Sequence, residues 1–178
     1  MSFREAMRRV ITGDNADGRS VVILDGGPSA EFRDVLFEIW EDAASGALDP
    51  RRGDDLGNTK AVLGPRKGNA QVRWFTANPP PESLANLSKE ARDAYAREMF
   101  AEMGGAHHVI DQSRHSAMHE TPTLDIICLL QGEAALILED GERRLKPGNV
   151  VIQRGTNHAW EAVGGPALFL AVLIDRGG

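Results

Sequence analysis

A chain of 178 residues, 42% of them hydrophobic, holds enough apolar side chains for one domain with a sizeable core. A formal net charge of −6 excludes a surface built to wrap nucleic acid, which demands clustered Lys and Arg, and no apolar run reaches the roughly 18 residues that a membrane span needs. The single cysteine, Cys128, excludes an intrachain disulfide and a multi-cysteine zinc site; set among Ile126, Ile127, Leu129 and Leu130, it reads as a small core residue.

Residues 1–10 read as a helical turn or an arm, and the opening "MSFREAMRRVITG" lacks the apolar stretch of a secretory signal, so a cytoplasmic location is expected. "RSVVILDG" at 19–26 predicts a strand ended by a Gly-Gly-Pro turn, and "DVLFEIWED" predicts a second one carrying Val35, Phe37, Ile39 and Trp40. Residues 43–68, rich in Gly, Asp, Pro and Arg, predict a long loop. "AQVRWFTANPPP" predicts a strand stopped by three prolines, which cannot continue a ladder. The period then changes. Leu87, Ala91, Tyr95, Met99 and Met103 recur every four residues among charges, and Gly104-Gly105 follows, which predicts an amphipathic helix of about four turns inserted near 84–103. From Ala106 onward apolar runs recur at intervals of about ten residues, with Asp140-Gly141 and Pro147-Gly148 as turns, the cadence of a β-sandwich or barrel. The expected organisation is one folding unit: an arm, strands, loop and helix in 1–105, packed on a barrel core in 106–178.

Polar residues interrupt the apolar pattern in two places. In "MHETPTLDIICLLQGE", His119, Thr121 and Asp125 share odd parity and so one face of an extended chain. In "RGTNHAW", Arg154, Thr156, His158 and Trp160 alternate in the same way and are expected to share a face if no bulge intervenes. An arginine beside an aromatic plate suits a small carboxylate or phenolate, because the guanidinium forks onto oxygens while the ring supplies apolar area. His115 lies four residues before His119 in a segment without helical periodicity, which points to a pocket rim or general-acid role and not to a metal pair.

Two motifs carry a likeness. His119-Glu120-Thr121 is followed by Pro122-Thr123-Leu124, then Asp125, then six residues to Gly132; Pro147-Gly148-Asn149 leads through "VVIQRGTNHAW" to His158. Over about 110–175 this resembles the cupin family, which implies an all-β fold, a double-stranded β-helix or jelly-roll barrel, here with N-terminal strands and one inserted helix. The family's second histidine is Thr121, its glutamate is Asp125, and its final asparagine is missing, with Glu161 and Ala162 in that region. By position the resemblance implies a metal site of His119, Asp125 and His158. Two imidazoles and a carboxylate suit Fe(II), with Zn, Mn and Ni also compatible. Aspartate draws the carboxylate back by about 1.5 Å where metal–oxygen distances tolerate about 0.2 Å, so a metal-free polar network stands open beside it.

Two functions follow from the resemblance. One is a metal-assisted small-molecule enzyme of oxygenase, lyase or isomerase type, with His119, Asp125 and His158 catalytic and Arg154, Thr156, Trp160, Thr121 and His115 binding a polar or carboxylated substrate. The other is a metal-free ligand-binding or sensor protein using the same pocket. Either way the resemblance implies a homodimer paired through sheet edges and exchanged N-terminal strands, without nucleic acid or membrane partners.

Overall fold

Alternation decides the long strands. The run from Thr123 buries Thr123, Asp125, Ile127 and Leu129 and leaves Leu124, Ile126, Cys128 and Leu130 half-buried or exposed, the period of two that a barrel wall imposes. The computed structural model describes residues 3–177 and contains α1 (Phe3–Ala6), β1 (Arg9–Asp14), β2 (Ser20–Gly26), β3 (Glu31–Phe32), β4 (Leu36–Ala43), β5 (Asn69–Ala77), α2 (Glu82–Ala85), α3 (Lys89–Glu102), a 3-10 turn (Ala106–His108), β6 (Thr123–Leu138), β7 (Glu142–Leu145), β8 (Val150–Arg154) and β9 (His158–Asp175).

All strand pairs are antiparallel. The main sheet runs β3-β4-β5-β9-β6-β7, and β8 pairs with the early part of β6; β1 and β2 form a separate hairpin. The long strands β6 and β9 bend around the interior and pair along most of their length, which makes the all-β double-stranded β-helix, a jelly-roll barrel. Its apolar core gathers Ile127, Leu129, Ala167, Phe169, Ala171 and Leu173. Among the described residues, no helix is long and apolar enough to cross a membrane.

β6 runs through Gly132, and the ladder shifts register on both sides. With φ at +80° and a would-be Cβ only 2.4 Å from the Pro166 carbonyl oxygen, the position admits glycine alone without strain. Across from this bulge, β9 changes its inward parity, from His158 and Trp160 to Phe169, Ala171 and Leu173. One local reading of the sequence is corrected at the N-terminus: Arg9 and Val10, expected in the helical turn or arm, begin a strand, Arg9–Asp14.

The helix is also rotated from its expected face. Spacing of four residues advances 400° per step, 40° beyond a full turn, so the row walks around the helix. Tyr95 accordingly ends 37% exposed, while Leu87 lies ahead of the Ser88 cap, outside the helix, and is 40% exposed; Ala96 and Phe100 are buried on the helix, and Phe100 with Met103 at its C-cap meets Leu36, Leu63 and Val109. Ser88 caps α3 by accepting from the Ala91 amide at 3.3 Å.

The segment between β4 and β5 has no helix or strand, as expected, yet it is tied down. Buried Glu41 accepts from the Asn58 and Asn69 side-chain amides and from the backbone N–H and guanidinium of Arg66. Arg9 forks onto Asp55 at 2.7 and 2.6 Å. Arg73, from β5, donates to the carbonyls of Val62 and Leu63.

Candidate functional site

One cavity of about 960 Å³ opens between α3 and the barrel, a size suited to a drug-sized molecule. Its apolar walls include Leu36, Leu63, Phe75, Met99, Phe100, Ile127 and Trp160. Phe75 stacks on Phe169 with centroids 4.5 Å apart, and Trp160 meets both rings obliquely at 5.8 and 5.1 Å, so the aromatic wall is locked by mutual packing.

His119 and His158 face each other through an antiparallel bridge: each backbone N–H donates to the other's carbonyl at 2.9 Å, and the ring centroids lie 4.5 Å apart. Nδ1 of His119 donates to the Ala117 carbonyl at 3.0 Å, and Nδ1 of His158 to that of Thr156 at 2.9 Å. A carbonyl only accepts, so the hydrogen of each neutral ring sits on Nδ1 and the lone pair on Nε2. Burial, then the neighbouring His158, pushes His119 down to about 3; burial pushes His158 down to about 4. Both rings are therefore neutral acceptors at physiological pH.

The remaining expected site residues divide. Trp160, Thr121, Asp125 and His115 line the same cavity. Thr121 shares a 2.7 Å hydroxyl–hydroxyl hydrogen bond with Thr123, and His115 accepts from the Ala117 amide at 3.1 Å and has its pKa lowered by burial. Arg154 and Thr156 do not reach the cavity. Arg154 lies with Pro122, Leu124 and Arg176 at a shallow outer depression, and exposed Thr156 is held by the Gln153 side chain. The alternation does not carry across because β8 ends at Arg154 and Gly155, at φ +62°, turns the chain before β9 begins at His158.

Nor does Asp125 close a three-ligand centre with the histidines. It pairs with Gln153 and Leu173 at one end of the β6 ladder, whereas His158 pairs with Leu138 at the other. Among the described residues, no group of three or more His, Cys, Asp and Glu side chains is placed to hold a metal ion. The donor set present is two imidazoles, which supplies two of the three ligands of the expected Fe(II) triad and not the whole.

Asp125 instead belongs with residues that the sequence left unmarked. Burial pushes its carboxyl up to about 6, against the pull of the Thr123 hydroxyl and the Arg73 charge, and its Oδ1 has no partner within the protein. Arg73 is buried beside Glu38, whose Oε1 lies 3.0 Å from Nη2 without hydrogen-bond alignment, and Gln71 donates to the other Glu38 oxygen at 3.0 Å. Burial lowers the Arg73 pKa and raises that of Glu38. The signal in "QVRWF" was there: Gln71, Arg73 and Phe75 share the inward parity opposite to Val72 and Trp74.

No family model matches the chain. It is 27% identical over 174 residues to the cupin-domain-containing oxidoreductase virC of Hypocrea virens, covering 94% of this chain and 75% of that protein. It is also 27% identical over 128 residues to the cupin-domain-containing oxidoreductase fogC of Aspergillus ruber, 68% of this chain and 63% of the relative, so it spans less than two thirds of the latter's length. A cupin 2 conserved barrel domain protein from Salinispora arenicola overlays with a TM-score of 0.36 at 14% identity, over 60% of this chain and 63% of that one. With the barrel read directly from its strand pairings and the similarity to virC running nearly end to end, the chain has the double-stranded β-helix fold and is similar along 94% of its length to a cupin-domain-containing oxidoreductase.

Proposed function

We propose that the protein is a small-molecule cupin enzyme of the oxidoreductase class, whose substrate is apolar over most of its surface and presents a hydroxyl to the His119–His158 pair. The observation that carries this is the pair itself: two neutral rings, each fixed by Nδ1 on a backbone carbonyl and both lining an apolar cavity. Such a pair receives a hydrogen-bond donor: with the rings held at about 3 and 4, each acts at neutral pH as an acceptor that orients a substrate hydroxyl and not as the base that removes its proton. Low dielectric walls strengthen that contact, and Trp160 with Phe75 fixes the plane of the substrate body. The reaction class is supported by the two relatives, both named oxidoreductases.

This replaces the carboxylated substrate read from the sequence. Arg154 lies outside the cavity, and the buried cation among its described lining residues, Arg73, is already beside Glu38, while Lys89, Arg92 and Arg114 line it from exposed or half-buried positions away from the histidine pair. Two free Nε2 atoms also favour a second reading in which a divalent ion, Fe(II), Zn, Mn or Ni, sits on the histidines and supplies Lewis acidity, its further donors coming from solvent or substrate. No step is assigned to it. A binding or sensor role would use the same cavity without turnover.

Calorimetry at pH 7.5 with 4-butylphenol and 4-butylbenzoate tests the reading. The phenol should bind the tighter, and His119→Phe with His158→Phe should weaken it about tenfold, the scale of a lost hydrogen bond of roughly 1.4 kcal/mol. Tighter binding of the benzoate would overturn it. Elemental analysis of protein purified without chelators separates the second reading: a stoichiometric metal that disappears in the same variant supports an ion on the histidines.

A further inference from the structure

The cavity has a second polar pole. Arg73 and Asp125 both line it, yet they stand apart from the histidine bridge, on either side of β9: Arg73 pairs with Ala171 across β5–β9, and Asp125 with Leu173 across β6–β9. Their residues are 2% and 3% exposed. Part of their polar capacity is met within the protein. Arg73 uses Nη1 on the Leu63 carbonyl at 3.1 Å and Nη2 on the Val62 carbonyl, with Glu38 Oε1 3.0 Å away. Asp125 has the Thr123 hydroxyl. Two atoms, the donor Arg73 Nε and the acceptor Asp125 Oδ1, have no partner among the described residues. A buried polar atom without a partner is unfavourable, and a bound group of matching chemistry recovers that loss.

We infer that Arg73 and Asp125 form a second subsite that takes a hydroxyl of the ligand, its oxygen accepting from Arg73 Nε–H and its hydrogen donated to Asp125 Oδ1. The chemistry selects this group. A carboxylate is repelled by Asp125, an ammonium is repelled by Arg73, and an ether or a ketone leaves Asp125 unsatisfied. A hydroxyl answers both atoms at once. Together with the histidine pole, this makes the preferred ligand two-headed: an aromatic or otherwise apolar body with a hydroxyl at each end. The inference rests on the proposed reading of the histidine pair and adds the second contact to it.

Two ligand series at pH 7.5 test it: 4-alkylphenols with three to eight carbons in the chain, and the same compounds carrying a terminal hydroxyl. In the native protein one chain length should bind at least tenfold tighter with the terminal hydroxyl than without it, because only that length spans the two poles. Asp125→Leu should abolish the difference, and Asp125→Asn, which keeps an acceptor, should retain most of it. If alkylphenols bind but the terminal hydroxyl adds nothing at any length, or its gain survives Asp125→Leu, the subsite is refuted and the histidine reading stands. If neither series binds the native protein, the histidine reading fails and takes the subsite with it.

Discussion

His158→Gln tests the neutral histidine pair through stability. Burial pushes His158 from its ordinary 6.5 down to about 4. Above pH 6.5 neither the folded nor the unfolded chain protonates this ring. Below it the unfolded chain takes up the proton and the folded chain does not, so stability falls until the pH nears 4 and the folded ring also charges. At about 1.4 kcal/mol per unit, the window from pH 6.5 to 4.5 costs about 3 kcal/mol from this ring. His119, pushed down to about 3, loses a similar amount over the same window. Asp125 acts in the opposite sense: its folded carboxyl, raised to about 6, binds a proton before the unfolded one and returns about 2 kcal/mol by pH 4.5. The native protein should therefore lose about 4 kcal/mol from these three groups between pH 7.5 and 4.5. Urea unfolding followed by tryptophan fluorescence, in buffer containing a chelator, measures it at each pH. The Gln variant should lose about 3 kcal/mol less than the native chain over that interval. Equal losses in the two proteins would refute a buried, neutral His158.

Other substitutions probe other parts of the structure. Gly132→Ala should cost about 3 kcal/mol, from a left-handed backbone worth ~1–2 and a backbone clash worth ~1–3, and lower Tm by about 6–12 °C in a thermal melt. Arg154→Ala should leave 4-butylphenol affinity within about twofold in calorimetry, because its side chain faces the outer depression. On the outer wall, Ile126 pairs with Ile152 and Cys128 with Val150, and Ile126, Val150 and Ile152 are exposed, an apolar face that a second copy of the chain would cover. Sedimentation velocity should show a dimer, and Ile152→Asp should convert it to a monomer with an unchanged circular dichroism spectrum; a monomer in the native protein would dispose of the dimer.

The strands and turns of the barrel were legible because they rest on local patterns, whereas the joining of His119 with His158 came only from the resemblance to the cupin motifs. Alternation through 123–129, turn residues at Asp140-Gly141 and Pro147-Gly148, and motif spacing each act within a few residues. Readings that extrapolated a pattern across an irregular backbone failed. The parity from Arg154 to Trp160 broke at Gly155, and the four-residue row on α3 drifted off its packing face. Asp125 was legible as a cavity residue but not as a neighbour of Arg73, because that proximity depends on β5 and β6 both pairing with β9, a long-range arrangement that no short window contains. Glu38 and Arg73 were hidden for the same reason. A charge inside a predicted strand looks like solvated surface until its cross-strand partner is known, and here Glu38 sits opposite Arg73 in the β4–β5 ladder.

The pairing of β5 with β9 sets the order in which a nascent chain can finish its structure. Ala70 waits for Ile174 and Ala77 for Ala167, so during synthesis β5 leaves the ribosome about a hundred residues ahead of the strand that covers its edge. Until then an apolar ribbon with unpaired amides is open to other chains, the kind of segment on which misassembly starts. Slow, late closure and a demand for chaperone shielding at elevated temperature are built into this topology.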